Sequence, residues 1–230
     1  MKKTKTSKTN LSFKEYLIIA FCIIGSVILG IISNDLIVGA SLLAASLLSS
    51  YLSAIYRRSN YIFGAISAFL IAYTAYINNF FGSFAINAFI FIPLELYGFV
   101  AWSRHLDSNK NVKARRFTFK NSVIVTSSCT IGSVIIGYLL TLIPGQQLAF
   151  IDSTICCLDI CSLILLNLRF LECWWLWTLS GILSIVMWSV ALINGGDNAT
   201  MRLITAVCFT VLSLYGIIKW NSKAKLNSKR

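Results

Sequence analysis

The sequence has little of what a soluble protein of its length needs. Only 12% of its 230 residues are charged and only two are proline, whereas 57% are hydrophobic and the mean hydropathy is +0.76. Soluble domains usually have about a quarter of their residues charged. A soluble fold could not cover this much apolar surface, so the solvent for most of the chain is lipid.

Histidine is almost absent, and His105 is the single one. The seven cysteines lie within or beside apolar runs and include no CxxC pair of the kind that binds zinc. We interpret them as small hydrophobic residues and expect neither a metal site nor a cofactor. The sequence also lacks an HExxH motif and a GxxxxGKS/T loop. These absences disfavour an intramembrane enzyme, which is the alternative from a different class, and an ATP-driven pump.

Acidic residues are scarce as well, with eight Asp and Glu against 20 Lys and Arg, which gives a net charge of +12. A nucleic-acid binder needs its basic residues on one polar face. Here they form short tracts between apolar runs. We interpret them as charges on the cytoplasmic side of a membrane and expect no nucleic-acid partner.

Eight apolar runs are each near the roughly 20 residues that a helix needs to cross a bilayer. The first one follows a lysine-rich N-terminus, but no small-x-small cleavage pattern comes after it, so we expect an uncleaved span. The predicted spans are Tyr16–Ile32, Leu36–Tyr56, Asn60–Ile77, Phe84–Trp102, Val123–Ile143, Ala149–Leu168, Trp174–Ile193 and Met201–Lys219.

The basic residues alternate between the loops. Every Lys and Arg except Arg202 lies in the N-terminal tail, in a loop after an even-numbered span, at the end of the eighth span, or in the C-terminal tail. The loops 33–35, 78–83, 144–148 and 194–200 contain none. By the positive-inside rule, this pattern predicts an all-α membrane protein with eight transmembrane helices and both termini in the cytoplasm.

A short phrase occurs twice. Residues 96–102 read LYGFVAW and residues 214–220 read LYGIIKW, so both follow the pattern LYGxxxW at the end of an apolar run. An offset of four spans preserves orientation, so the phrase predicts two parallel three-helix repeats with a connector helix between them. The predicted units are a basic N-terminus with an extra helix (1–35), the first repeat (36–102), a basic loop with the connector helix (103–148), the second repeat (149–220) and a basic tail (221–230).

Two acids, Glu95 and Asp159, each fall near the centre of a span. A carboxylate in the bilayer interior costs roughly 2.5–3.5 kcal/mol on translocon scales, so it normally faces a polar cavity. Such acids either hold helices together through hydrogen bonds or line the path of a cationic substrate. Both interpretations stay open at this point.

The seventh span contributes aromatic candidates. Trp174, Trp177 and Trp188 recur at helical spacing on one face. A flat cationic ring that stacks on an indole gains roughly 0.5–2 kcal/mol. For Trp174 and Trp177 an aromatic belt at the membrane interface is the alternative.

Polar side chains complete the set of predicted substrate contacts. Ser67 lies on a partly polar face of the third span, and Asn87 and Tyr97 in the fourth span have groups that suit ribose hydroxyls. Helix capping is the alternative for Asn87, and packing between helices is the alternative for Tyr97. Arg169 and Glu172 lie three residues apart near the cytoplasmic edge, where they form either a local ion pair or a gate between the repeats.

Four further residues have expected structural roles. Pro93 removes a backbone hydrogen bond and should kink or loosen the fourth span. Asp152 is expected to cap the sixth span, because acids suit helix N-termini. Trp102 and Trp220 are expected to anchor their spans at the membrane interface.

These motifs together resemble the PnuC family of vitamin-precursor transporters, best known for nicotinamide riboside. The resemblance covers about residues 35–220 and depends on the order and spacing of several short motifs. They are NYIFG at 60–64, the run Asn87, Pro93, Tyr97, Gly98 and Trp102, and the second-half pattern Asp152, Arg169, Glu172, Trp174, Trp177, Gly216 and Trp220.

The resemblance implies a 3+1+3 helix arrangement similar to that of the SWEET sugar transporters, a homotrimer, and residence among the lipids of a bacterial inner membrane. It also implies facilitated diffusion of nicotinamide riboside, with a cytoplasmic kinase that phosphorylates the substrate and so draws uptake inward. Ser67, Leu163 and Gly181 stand where relatives often have polar amides. Thiamine, riboflavin or a (deoxy)nucleoside are therefore the alternative substrates.

Overall fold

A computed structural model describes residues 13–104 and 115–228, with side chains for 13–103 and 115–222. Within these residues the fold is all-helical, with eight helices. They are α1 (Phe13–Ile32), α2 (Val38–Ala54), α3 (Asn60–Ile77), α4 (Phe81–Ile86, a π-helical turn at Asn87–Phe91, then Ile92–Arg104), α5 (Phe119–Thr141), α6 (Ala149–Asn167), α7 (Cys173–Ile193) and α8 (Ala199–Ser228). His105 and the N-terminal residues 1–12 lie outside the described residues.

Seven of these helices are long and apolar enough to cross a membrane, and the chain is therefore a multi-pass membrane protein. The prediction of membrane-spanning helices is confirmed for all but one of the eight runs. The exception is α2, which has only 17 residues and five serines. Four of those serines line an interior cavity, so their hydroxyl groups face other helices instead of lipid.

Six of the helices form a ring. α2 contacts α3 and α8, α4 contacts α3 and α6, and α7 contacts α6 and α8. The remaining two helices lie outside this ring, where α1 packs on α2 and α5 packs on α6. Most side chains of α1 are exposed, as expected for a helix that faces lipid on most of its surface.

The repeated phrase LYGxxxW has the same structural role in both copies. A Cβ added to Gly98 would overlap the ring of Tyr61, and one added to Gly216 would overlap the ring of Trp174. Tyr61 lies on α3 and Trp174 lies on α7, which are the middle helices of the first and second predicted repeats. Each glycine therefore lets an aromatic ring lie directly against the backbone of the neighbouring helix.

The tryptophans of the phrase are buried among the helices, so the prediction that they anchor their spans by contact with the membrane interface is wrong. Trp102 is 2% exposed and Trp220 is fully buried. Trp102 meets Tyr61 edge-on at 5.4 Å between ring centroids, and Trp220 meets Trp174 in the same way at 5.9 Å. The glycine four residues earlier brings each ring close enough for this contact, so both tryptophans stabilise the interior.

Pro93 coincides with a local change in α4. The π-helical turn at Asn87–Phe91 ends just before it. Proline has no backbone N–H to donate to the preceding turn, and single π-helical turns occur where the α-helical bonding pattern is interrupted. The predicted loosening of the fourth span is therefore a π-helical turn. This turn places Asn87 and Phe91 beside the interior cavity.

Asp152 does not cap its own helix, contrary to the prediction. It is fully buried and accepts hydrogen bonds from the backbone N–H groups of Gly82 and Ser83, each at 3.0 Å. The Ser83 hydroxyl and Gln146 Nε2 donate to it as well. A residue at the start of α6 therefore caps the start of α4, which the linear sequence gave no reason to pair with it.

A similar contact joins the other side of the ring. Asp35 precedes α2, accepts a hydrogen bond from Gly39 N at 2.8 Å and accepts another from Nδ2 of Asn198, just before α8. The two aspartates thus connect α6 to α4 and the start of α2 to the start of α8. Both links lie at the end of the ring whose loops lack Lys and Arg.

Replacing Gly216 with Ala is expected to lower the thermal stability of the detergent-purified protein. The added methyl group overlaps the Trp174 ring, and an overpacked core typically costs about 1–3 kcal/mol. Tryptophan fluorescence during heating measures the change in Tm. Gly25→Ala in α1 is the matched control, since its Cβ would meet no atom within 4 Å. An equal Tm for the two variants would contradict the assigned role of Gly216.

Candidate substrate-binding cavity

An interior cavity of about 150 Å³ lies within the ring. Side chains from all six ring helices line it, and none comes from α1 or α5. Its polar lining residues are Ser46, Ser49, Ser50, Ser53, Asn60, Ser67, Ser83, Asn87, Glu95, Asp159, Ser180, Ser184, Arg202 and Thr205.

Several of these polar groups bond to each other or to the nearby backbone. The hydroxyl groups of Ser46 and Ser67 are 2.7 Å apart, which joins α2 to α3. Asn87 Nδ2 donates to the Ser83 carbonyl at 2.8 Å. Ser67 and Asn87 therefore line the cavity as predicted candidates, although each already has a partner within the protein.

Glu95 is the most exceptional of the lining residues. Its side chain is 7% exposed, and its Oε2 has no hydrogen-bond partner among the described residues. A Cβ on Gly64 would lie 2.5 Å from the carboxyl carbon, so only glycine leaves this space to the acid. A negative charge here is uncompensated by the described part of the chain. The geometry suits a ligand that is positively charged.

Asp159 lines the same cavity from α6. Its Oδ1 accepts a hydrogen bond of 2.5 Å from the Ser180 hydroxyl on α7. The side chain is only half-buried, because it faces the cavity. Both acids that the sequence placed near the centres of spans therefore face one shared space.

Arg202 is a lining residue that sequence reasoning missed. It is 9% exposed, and its guanidinium carbon lies 4.5 Å from the centroid of the Trp188 ring. The sequence suggested only a charge at the edge of a span. The signal that could have found it is its isolation, since Arg202 stands alone on the side of the membrane that otherwise lacks basic residues.

Trp177 provides the aromatic wall of the cavity. It is 9% exposed and lines the cavity together with Phe91 and Phe209. Trp177 and Phe209 meet edge-to-face, with ring centroids 6.1 Å apart. Trp177 also meets Trp174 edge-to-face, with ring centroids 5.2 Å apart, so it is the tryptophan of α7 that borders the cavity.

Three predicted substrate contacts lie elsewhere. Trp174 is fully buried against Gly216 and Trp220, and Trp188 is fully buried against Phe80 and Arg202. Tyr97 is 64% exposed on the outside of α4. Helical periodicity identified the inward face of α7, but it could not show which ring on that face meets the cavity and which is covered by α8.

Arg169 and Glu172, the predicted gate, do not line the cavity either. Glu172 accepts a hydrogen bond from Phe117 N at 3.0 Å, and Arg169 ends α6 in the left-handed conformation, with φ of 69°. Within the described ranges, the salt bridge whose N···O distance is below 4.0 Å is the one between Arg57 and Glu15. Arg169 and Glu172 therefore do not form the predicted local ion pair. Backbone bonds between Arg115 and residues 169 and 171 tie the start of α5 to this loop.

The inner surface of the bundle has other contacts between distant helices. Tyr61 donates a hydrogen bond to Asn167 Oδ1 at 2.8 Å, which joins α3 to the end of α6. Tyr56 stacks on Trp220 with ring centroids 4.7 Å apart. These contacts lie at the end of the ring opposite to Asp35 and Asp152, so the cavity has bridging contacts at both ends.

Two curated transporters are similar to this chain in sequence. The nicotinamide riboside transporter PnuC of Neisseria mucosa is 32% identical over 176 residues, which are 74% of this chain and 66% of that protein. The transporter of the same name from Haemophilus influenzae is 26% identical over 170 residues, or 73% of this chain and 71% of that protein. The chain thus spans about two thirds of the length of the Neisseria relative.

A solved structure and a family model extend the comparison. The crystal structure of the vitamin B3 transporter PnuC matches with a TM-score of 0.80 at 25% identity, over 94% of each chain. A family model described as nicotinamide mononucleotide transporter matches residues 36–222, which include every helix of the ring except the last residues of α8. The chain therefore belongs to this family of transporters, the PnuC family.

Proposed function

We propose that this chain carries nicotinamide riboside across a bacterial inner membrane, with both termini in the cytoplasm. One observation supports this choice above the others. The buried acid Glu95, which has no salt-bridge partner within 4.0 Å among the described residues, lines the interior cavity together with Trp177. Two relatives are named for the same substrate.

The chemistry of nicotinamide riboside fits this pair of side chains. Its pyridinium ring is flat and positively charged. Trp177 can stack on the ring, while Glu95 supplies the opposite charge in a place from which most water is excluded. Thiamine also has a cationic ring, so it is the alternative substrate that the same observation favours. Riboflavin and the neutral nucleosides lack this charge.

We infer that the transport unit consists of two parallel repeats, 36–102 and 149–220, with 103–148 as basic loop and connector, in the 3+1+3 manner. Helix contacts support the inference. The first helix of each repeat contacts the last helix of the other repeat, since α2 contacts α8 and α6 contacts α4. The equal roles of Gly98 and Gly216 support it as well. The extra N-terminal helix within 1–35 packs on α2 as the connector helix packs on α6, and the tail 221–230 follows the second repeat.

Transport would then follow from a change in the angle between the two repeats. The contacts of Asp35 and Asp152 would open at the outer end, and those of Tyr61 and Tyr56 at the cytoplasmic end. Arg169 and Glu172 remain part of the proposed cytoplasmic gate, because both accept hydrogen bonds from the segment 115–117. Such alternating access around a fixed site is how transporters built from repeats operate.

We propose facilitated diffusion as the energetic mode, with a cytoplasmic kinase that phosphorylates the substrate and so keeps its internal concentration low. The homotrimer implied by the family resemblance is part of the same proposal. The broad apolar surfaces of α1 and α5 can contact neighbouring subunits and lipids, since both helices lie outside the ring.

Uptake into proteoliposomes that contain only this chain tests the proposed function. Labelled nicotinamide riboside is expected to enter without ATP until the inside and outside concentrations are equal. Unlabelled nicotinamide riboside should compete more effectively than thiamine or uridine. Uptake of thiamine alone would assign the other cationic substrate, and accumulation above the outside concentration would contradict facilitated diffusion.

A further inference from the structure

Asp159 and Arg202 form a polar pair that the recognition of a cationic ring does not require. Asp159 on α6 and Arg202 on α8 both line the cavity. They have opposite charges, but no salt bridge within 4.0 Å joins them in the described part of the chain. Their nitrogen and oxygen atoms are therefore more than 4.0 Å apart, a separation at which a group of the ligand can bond to both side chains.

Arg202 has hydrogen-bond donors that are not used within the described residues. The Trp188 ring holds the guanidinium plane from one side at 4.5 Å. Its Nε is buried and makes no hydrogen bond within the described ranges. The guanidinium has five N–H donors and no acceptor, and a buried charged donor without an acceptor is costly. Its surroundings point to an oxygen acceptor that comes with the ligand.

Asp159 has the complementary group. Its Oδ1 accepts a hydrogen bond from the Ser180 hydroxyl, which fixes the carboxylate against α7. Its Oδ2 is left without a hydrogen bond from the described residues and faces the cavity. Asp159 therefore offers an acceptor in the same space in which Arg202 offers donors.

We propose that Asp159 and Arg202 bind the hydroxyl groups of the substrate's pentose and thereby select ribosides over free bases. A hydroxyl group both donates and accepts hydrogen bonds, so one hydroxyl can bridge the gap between the two side chains. This proposal rests on the function proposed above. It replaces the expectation that Asn87 and Tyr97 bind the ribose, since Tyr97 faces outward and Asn87 Nδ2 already donates to Ser83.

The competing role is structural, in which Arg202 only balances the charge of Asp159 beneath Trp188. The two roles predict different effects on affinity when the ligand lacks the sugar. N-methylnicotinamide, in the form methylated on the ring nitrogen (1-methylnicotinamide), has the same cationic ring and carboxamide as nicotinamide riboside but a methyl group in place of the sugar. A sugar-binding pair affects only the riboside, whereas a structural pair affects both ligands.

The test is calorimetric titration of the purified full-length chain and of its Arg202→Gln variant with both ligands. We expect the variant to bind nicotinamide riboside about 10- to 100-fold more weakly, the usual range for a lost charge-assisted hydrogen bond. Its affinity for N-methylnicotinamide should be unchanged. Asp159→Asn should give the same pattern. Equal weakening for both ligands, or none for the riboside, would overturn the proposal.

A second measurement does not depend on whether the variants fold. The unsubstituted protein should bind the 2′-deoxy or the 3′-deoxy analogue of nicotinamide riboside about tenfold more weakly than the riboside itself. Equal affinity for all three would overturn the sugar-binding role. If the protein bound nicotinamide riboside and N-methylnicotinamide equally well, only this inference would fail. If it bound neither, the proposed function itself would fail.

Discussion

Replacing Glu95 with Gln is expected to weaken the binding of nicotinamide riboside by about 30-fold or more. The substitution keeps the shape of the side chain and removes its charge. Loss of one partner from a buried charge pair typically costs about 2–5 kcal/mol, and every 1.4 kcal/mol is tenfold in affinity. Glu95 has no other cationic partner within 4.0 Å among the described residues. The loss should therefore come from the ligand.

The matched ligand for this experiment is reduced nicotinamide riboside, whose dihydropyridine ring has nearly the same shape but no charge. The unsubstituted protein should prefer the oxidised form, and Glu95→Gln should abolish that preference. Glu15→Gln is the control variant. Its carboxylate pairs with Arg57 at 3.5 Å on the outside of the ring, so both affinities should stay as they are. An equal loss for both ligands in Glu95→Gln would assign this acid a folding role.

Replacing Asp152 with Ala is expected to give the largest loss of stability of any single substitution considered. The carboxylate is fully buried and accepts hydrogen bonds from two buried backbone N–H groups at the start of α4. Removing it leaves Gly82 N and Ser83 N without that acceptor and removes a negative charge from a helix N-terminus. At about 1–3 kcal/mol for each of the two buried unsatisfied groups, the total is roughly 2–6 kcal/mol.

Thermal unfolding followed by tryptophan fluorescence measures this effect. Asp197→Ala is the control, since Asp197 is exposed in the loop before α8 and its substitution should change stability by no more than about 0.5 kcal/mol. Asp152→Asn should fall between the two, because its remaining carbonyl oxygen can still accept from one backbone N–H. A Tm for Asp152→Ala that equals that of the control would rule out the assigned capping role.

Local properties of the sequence predicted the helices well. Hydropathy and the alternation of charged loops located all eight runs, because lipid requires each span to be long, apolar and internally hydrogen-bonded. The prediction was least accurate for α2. Serines that face the cavity make this helix less apolar, and hydropathy averages over both of its faces.

Properties that depend on neighbouring helices could not be predicted. Trp174 and Trp177 are three residues apart on one face of α7, yet only Trp177 lines the cavity, because Gly216 of α8 brings the backbone against Trp174. Asp152 caps a helix that begins about 70 residues earlier in the chain. Tyr97 lies beside the buried Gly98, but its own side chain faces outward.

Rare residues in unfavourable surroundings gave the most reliable information about the site. Glu95 and Asp159 were identified because a charge within an apolar run is costly, and both line the cavity. Arg202 meets the same criterion. It was missed because the boundary of its span was placed one residue away, where a charge has an ordinary explanation. The described helix begins at Ala199, so Arg202 lies within the first turn and reaches the cavity.

A structure of the protein with nicotinamide riboside bound tests the central claim, that the substrate site lies inside the ring of six helices. We predict density for the pyridinium ring between Glu95 and Trp177, with the ribose beside Asp159 and Arg202. Density for the ligand on the lipid-facing surface, or a ring that contacts neither Glu95 nor Trp177, would contradict that claim.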